Sequence, residues 1–146
     1  MSKRKNLHLQ YAVSLLFAPV FCFLYIKIFQ EQNNDIFWLF SDIRSLFFLI
    51  FLYPIVEELI FRGLIQEYIE RKTHKITVFK ALSWANIFTS LLFVLMHLAY
   101  HSPIWAMLVF FPSLVFGYFK ERYEHIIPSI VLHSFYNLWH FSIIGI

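Results

Sequence analysis

From Leu7 to Phe29 the chain carries no Asp or Glu, and Lys27 is its one Lys or Arg. About 20 apolar residues in a helix cross ~30 Å of hydrocarbon, so this run is long enough to span a bilayer. Lys3, Arg4 and Lys5 precede it. It is too long for a signal-peptide core and lacks a small-x-small cleavage site, so it reads as an uncleaved anchor. Composition says the same of the whole chain. Of 146 residues, 60% are hydrophobic and 14% charged, where soluble domains have roughly 45–50% and 25%. A fold this small has too much surface for so little charge to cover. A soluble domain and a disordered chain are both excluded. The one cysteine, Cys22, lies inside the first apolar run and excludes a disulfide scaffold. An integral membrane protein remains, with the lipid bilayer as its first partner. The net charge of +3 reflects where the basic residues sit and implies no nucleic-acid partner.

Four further runs follow. After the polar stretch Gln30–Asp35 and an aromatic patch at Ile36–Phe40, a second span starts near Arg44 and ends about Gln66. Pro54 lies inside it and is expected to kink it. Glu67–Lys80 is rich in charge and reads as solvated or interfacial. A third span begins between Ala81 and Asn86 and reaches His97. A tight turn at His101, Ser102 and Pro103 leads to a fourth span, about Ile104–Phe119, with Pro112 inside. A charged turn at Lys120–Glu124 precedes a fifth, from about Ile126 onward. Lys and Arg cluster at the N-terminus, in Arg71–Lys80 and in Lys120–Arg122, and are sparse in the alternate loops. Basic loops mark the cytoplasmic side. The expected fold is an all-α, polytopic transmembrane bundle of five spans with a cytoplasmic N-terminus. Residues 1–146 are expected to form one membrane-embedded domain in the cytoplasmic membrane, with an anchor span at 7–29 and a core at 45–140. Helix rise puts His97 level with the second and fifth spans only if the third starts near Asn86 or is tilted. An interfacial helix through about Lys80 is therefore expected, with the span beginning later.

Charges in hydrocarbon cost at least ~2.5–3.5 kcal/mol each at the helix centre. The second span holds three within six residues: Glu57, Glu58 and Arg62. Glu58 and Arg62 are four residues apart and share a helical face. A buried structural pair accounts for those two but leaves Glu57, about 100° round the helix, without a local partner. His97 ends the third span, and His133 and Asn137 share a face of the fifth, with His140 a turn further on. A carboxylate, imidazoles and an amide on three spans make up a hydrolytic set: a base for water, a proton carrier and an oxyanion donor.

The order of these groups resembles a known family. Glu57-Glu58-x-x-x-Arg62, with Phe61 and Gly63 alongside, is followed by Phe93-x-x-x-His97 and then His133-x-x-x-Asn137. This is similar to the CPBP family of CAAX-processing and bacteriocin-processing intramembrane proteases. Gly117 matches a small residue that the family carries between its later motifs. The resemblance covers about residues 45–140. It implies an intramembrane endopeptidase acting on a protein or peptide with a membrane-associated tail. It makes Glu57 the base that activates water, and Glu58 the partner of Arg62. His97 helps position the water or moves protons, His133 and Asn137 complete the site, and Phe93 supports it. It also favours a metal-free, glutamic mechanism. The same groups admit a zinc reading through Glu57, His97 and His133, without the compact H-E-x-x-H arrangement. The chain is short for the family, with one span before the core. Competing readings are a non-catalytic scaffold or immunity protein that keeps the fold, and a small proton-coupled transporter. All motif positions are present, which speaks against the first, and the lack of an inverted repeat against the second.

Overall fold

The structure is a computed structural model that describes residues 2–29, 37–73, 76–79 and 81–144. The polar stretch 30–35, Ile36, His74, Lys75 and Lys80 lie outside the described residues. The fold is all-α, with 86% of it helical. In chain order come α1 (Ser2–Phe29), α2 (Trp38–Ser41) and α3 (Ile43–Leu46). A wide π segment, π1 (Phe47–Leu52), leads to α4 (Tyr53–Glu58), a second one, π2 (Leu59–Gln66), and α5 (Glu67–Lys72). A two-stranded hairpin, β1 (Thr77–Phe79) and β2 (Leu82–Ser83), then introduces α6 (Trp84–Leu98), α7 (Pro103–Leu108), α8 (Phe110–Tyr123) and α9 (Ile127–Ile143).

Apolar side chains lie largely outside and polar ones inside. Leu9, Leu16, Phe23 and Ile28 of α1 are exposed, whereas Glu58, Arg62, Gln66 and Asn86 are buried. In water this distribution is unfavourable in both respects; in hydrocarbon it is the stable one. Among the described residues, Lys5–Ile28 and Pro103–Tyr123 are long and apolar enough to cross a membrane, and Trp84–Leu98 is apolar but shorter. The chain is a membrane protein.

Two compact units make up the chain: Met1–Ile55 with Val131–Ile146, and Val56–Ile130. In the first, long-range side-chain hydrogen bonds tie elements together. Trp38 Nε1 donates to Phe141 O at 2.7 Å, Tyr136 Oη to Ser14 O at 2.9 Å, and Asn137 Nδ2 to Leu49 O at 2.9 Å. Asp42 caps α3, accepting from Arg44 N and Ser45 Oγ. Those two donors, the Ser45 hydroxyl first, hold its carboxyl below the usual carboxylate range. The second unit packs Phe61, Phe93 and Val109 together, with the Phe61 and Phe93 rings edge to face at 4.9 Å. Ser83 caps α6 through a 2.9 Å bond from Asn86 N.

Three expectations change. The interfacial helix does not reach Lys80. It stops at Lys72, where Thr73 turns both its N–H and its hydroxyl onto Ile69 O. The β-branched and aromatic Thr77-Val78-Phe79 then pairs with Leu82–Ser83. The helix that follows, α6, does start late, at Trp84. Pro54 lies inside a helix that runs from α3 to α5 as alternating α and π segments. Pro54 removes the N–H that would bond Ile50, and π1 widens the turn just before it. Lys120, Glu121 and Arg122 are not a turn but the end of α8, and Lys120 is buried against Glu70. The chain reverses at Glu124, whose φ of 54° is left-handed. Glu70, read as solvated, is itself buried.

Gly117 sits where α8 meets α6 and π2. A Cβ there would collide with the Asn86 carboxamide and approach Gln66 Oε1 at 2.9 Å. Gly117→Ala is expected to destabilise the protein by about 1–3 kcal/mol, read as a lower thermal midpoint in detergent. Gly63→Ala meets Ile126 Cδ1 at an ordinary 3.4 Å. It should be neutral, or gain up to about 1 kcal/mol from helix propensity.

Candidate active site

The second unit gathers the first two motifs. Glu58 and Arg62 are both 0% exposed, and Arg62 Nε donates to Glu58 Oε2 at 3.2 Å. A buried ion pair needs its remaining donors satisfied, and most of them are. Arg62 Nη2 bonds Ser113 O at 2.9 Å and Ser113 Oγ at 2.6 Å, and Nη1 reaches Gln66 Oε1 at 3.4 Å. Glu57, the preceding residue of α4, is half-buried.

Arg62 also links the first motif to the second. Its Cζ lies 5.7 Å from the centre of the Phe93 ring, a cation–π distance. The Phe93 ring lies 4.5 Å from the His97 ring, which stacks on His101 at 5.7 Å. His97 Nδ1 is 2.9 Å from Phe93 O. A carbonyl only accepts, so Nδ1 carries the proton. In the neutral ring Nε2 then carries the lone pair.

His133 and Asn137 belong to the other unit, on α9. His133 is 5% exposed. One N–H of the Asn137 amide is committed to Leu49 O, so the residue fastens α9 to π1, and its second N–H is a separate donor. The structure therefore brings together Glu58, Arg62, Phe93 and His97, and places His133 and Asn137 one helical turn apart. Within neither unit do three His, Cys, Asp or Glu side chains gather to hold an ion, among the described residues.

Sequence reasoning missed the depth of the polar network. Gln66, Asn86, Ser90 and Ser113 are fully buried. Gln66 Nε2 donates to Gly117 O at 3.2 Å and to Glu121 Oε1 at 2.7 Å, and Ser83 Oγ donates to the same Glu121 oxygen. Asn86 Nδ2 donates to Leu114 O at 2.9 Å. Lys120 Nζ bonds Glu70 Oε2 at 2.9 Å. These end groups line a cavity of about 520 Å³ with Glu67, Arg71 and Arg122. The signal was present: Glu58, Arg62, Gln66 and Glu70 recur every fourth residue, and so do Ser113, Gly117 and Glu121. Two such stripes lie along helix faces that can meet.

A family model, Type II CAAX prenyl endopeptidase Rce1-like, matches residues 38–139. No curated protein and no solved structure matches the chain. The matched stretch contains Glu57, Glu58, Arg62, Phe93, His97, His133 and Asn137 and most of the chain. The chain belongs to the Rce1-like type II CAAX prenyl endopeptidase family, a family of proteases.

Proposed function

We propose that the protein is an intramembrane endopeptidase that cuts a peptide bond near the membrane-associated tail or C-terminus of a protein or peptide substrate. It acts as one membrane-embedded domain over residues 1–146, with five spans and a cytoplasmic N-terminus, in the cytoplasmic membrane. Glu57 takes a proton from water as it attacks the scissile carbonyl. Arg62 holds Glu58 and keeps a positive charge close to the developing negative charge. His97, through Nε2, passes the proton to the leaving amine. His133 and the second N–H of Asn137 stabilise the oxyanion. Phe93 packs between Arg62 and His97 and sets their spacing. The mechanism uses no metal.

The observation that carries this reading is the Glu58–Arg62 pair, fully buried, with Arg62 also hydrogen-bonded to Ser113. Such a pair is costly to build. Burying it beside a second carboxylate, in a stretch matched by a protease family, fits chemistry better than anchorage.

A zinc-dependent version would draw on Glu57, His97 and His133, whose N and O donors suit that ion. Bound there, zinc would polarise water. The test is cleavage of a panel of membrane-anchored tail peptides, prenylated and not, in native-like membranes with and without a zinc chelator. Chelator-resistant cleavage is expected. Loss of cleavage on chelation, restored by zinc, would replace the metal-free mechanism.

A further inference from the structure

The Gln66 amide has two ends, and its neighbours decide which way it points. Its oxygen accepts from Arg62 Nη1, while its nitrogen donates to Gly117 O and to the Glu121 carboxylate. Flipped, it would set N–H groups against a guanidinium and an oxygen against two acceptors. Glu121 is itself held by the Ser83 hydroxyl. Its carboxylate is the second negative charge, after Glu58, that acts on Arg62. Arg62 has no freedom beyond these partners: it is 0% exposed, and its other donors go to Glu58 and Ser113.

We propose that Gln66 and Glu121 are positioning residues for the reaction. Glu121 orients the Gln66 amide, the amide orients Arg62, and Arg62 holds Glu58 beside Glu57. This rests on Glu57 being the base. The chain of bonds runs from the motif to the charged cavity at the end of α8. The network therefore runs from that cavity to Glu58, the residue next to the proposed base. Misplacing a catalytic group by about 1 Å costs on the order of 100-fold in rate, so a side chain three hydrogen bonds away from Glu58 carries a measurable effect.

Glu121→Leu removes the acceptor, and Glu121→Gln keeps an oxygen in its place. Two signals are read: kcat and KM on an anchored-tail peptide, and the ¹H–¹⁵N resonances of the Arg62 guanidinium without substrate. A guanidinium fixed on Glu58, Gln66 and Ser113 gives resolved, slowly exchanging N–H signals. Expected for Glu121→Leu is a kcat about 10- to 100-fold lower, an unchanged KM and loss of the resolved Arg62 signals. Glu121→Gln should restore both signals to near wild type. If Glu121→Leu does not fold, Gln66→Met, similar in length and without the amide, is read the same way. A folded variant with wild-type kcat, or one that loses kcat while the Arg62 signals stay resolved, overturns the proposal. Glu57→Gln run in parallel separates the two failures. If that variant cleaves normally, the assignment of the base falls. If it is inactive while Glu121→Leu behaves as wild type, only the positioning role falls.

Discussion

Glu57→Gln is expected to lower kcat by about 10²–10⁴-fold, the range that a positioned general base contributes, while KM changes little. The amide keeps the size of the carboxylate and removes its ability to take a proton. Glu57 is half-buried and next to a pair whose partners are already fixed. The substitution therefore leaves the Glu58–Arg62 bonds intact, and the thermal midpoint should stay near wild type. Intact folding with lost turnover separates chemistry from structure. Glu57→Asp shortens the side chain by one methylene and retains the base, so partial activity is expected from it. Equal activity in wild type and Glu57→Gln would remove Glu57 from the mechanism and turn attention to Glu58 or His97.

Arg62→Leu has the opposite signature, a loss of stability first. It strands the Glu58 carboxylate at 0% exposure and leaves the Ser113 carbonyl and hydroxyl and the Gln66 oxygen without their donor. Breaking a buried ion pair on one side costs about 3–5 kcal/mol. A buried pair replaced on both sides by apolar groups is often neutral or stabilising, so Glu58→Leu/Arg62→Leu should recover a large part of that loss. The double variant should fold better than the single one and still be inactive. Reversible unfolding in mixed micelles, run as a double-mutant cycle, gives the coupling energy. A double variant no more stable than Arg62→Leu would mean that Arg62 stabilises mainly through Ser113 and Gln66.

The part of the site that runs along one helix was legible in the sequence. Four residues separate Glu58 from Arg62, and an i,i+4 pair on one face needs no tertiary knowledge. The late start of α6 was also readable, because helix rise brings His97 level with the other motifs only from a late start or a tilt. What stayed hidden was pairing between distant segments. Gln66 meets Glu121 across 55 residues, and nothing local marks one as the partner of the other. Glu70 and Lys120 were misplaced for a related reason. Single charges default to water, and these two are buried only because each neutralises the other. The hairpin at 77–83 was missed because three strand residues are too few for alternation to register.

The two π segments carry a consequence for how this chain can change over evolutionary time. π2 (Leu59–Gln66) holds Arg62 and Gln66 in a turn wider than an α-helix. Each residue of α-helix is about 100° of rotation, so a length change here that the wide turn does not absorb would swing Gln66 and Glu70 away from Ser113, Gly117 and Lys120. Length in this stretch is locked to the register of the facing helix.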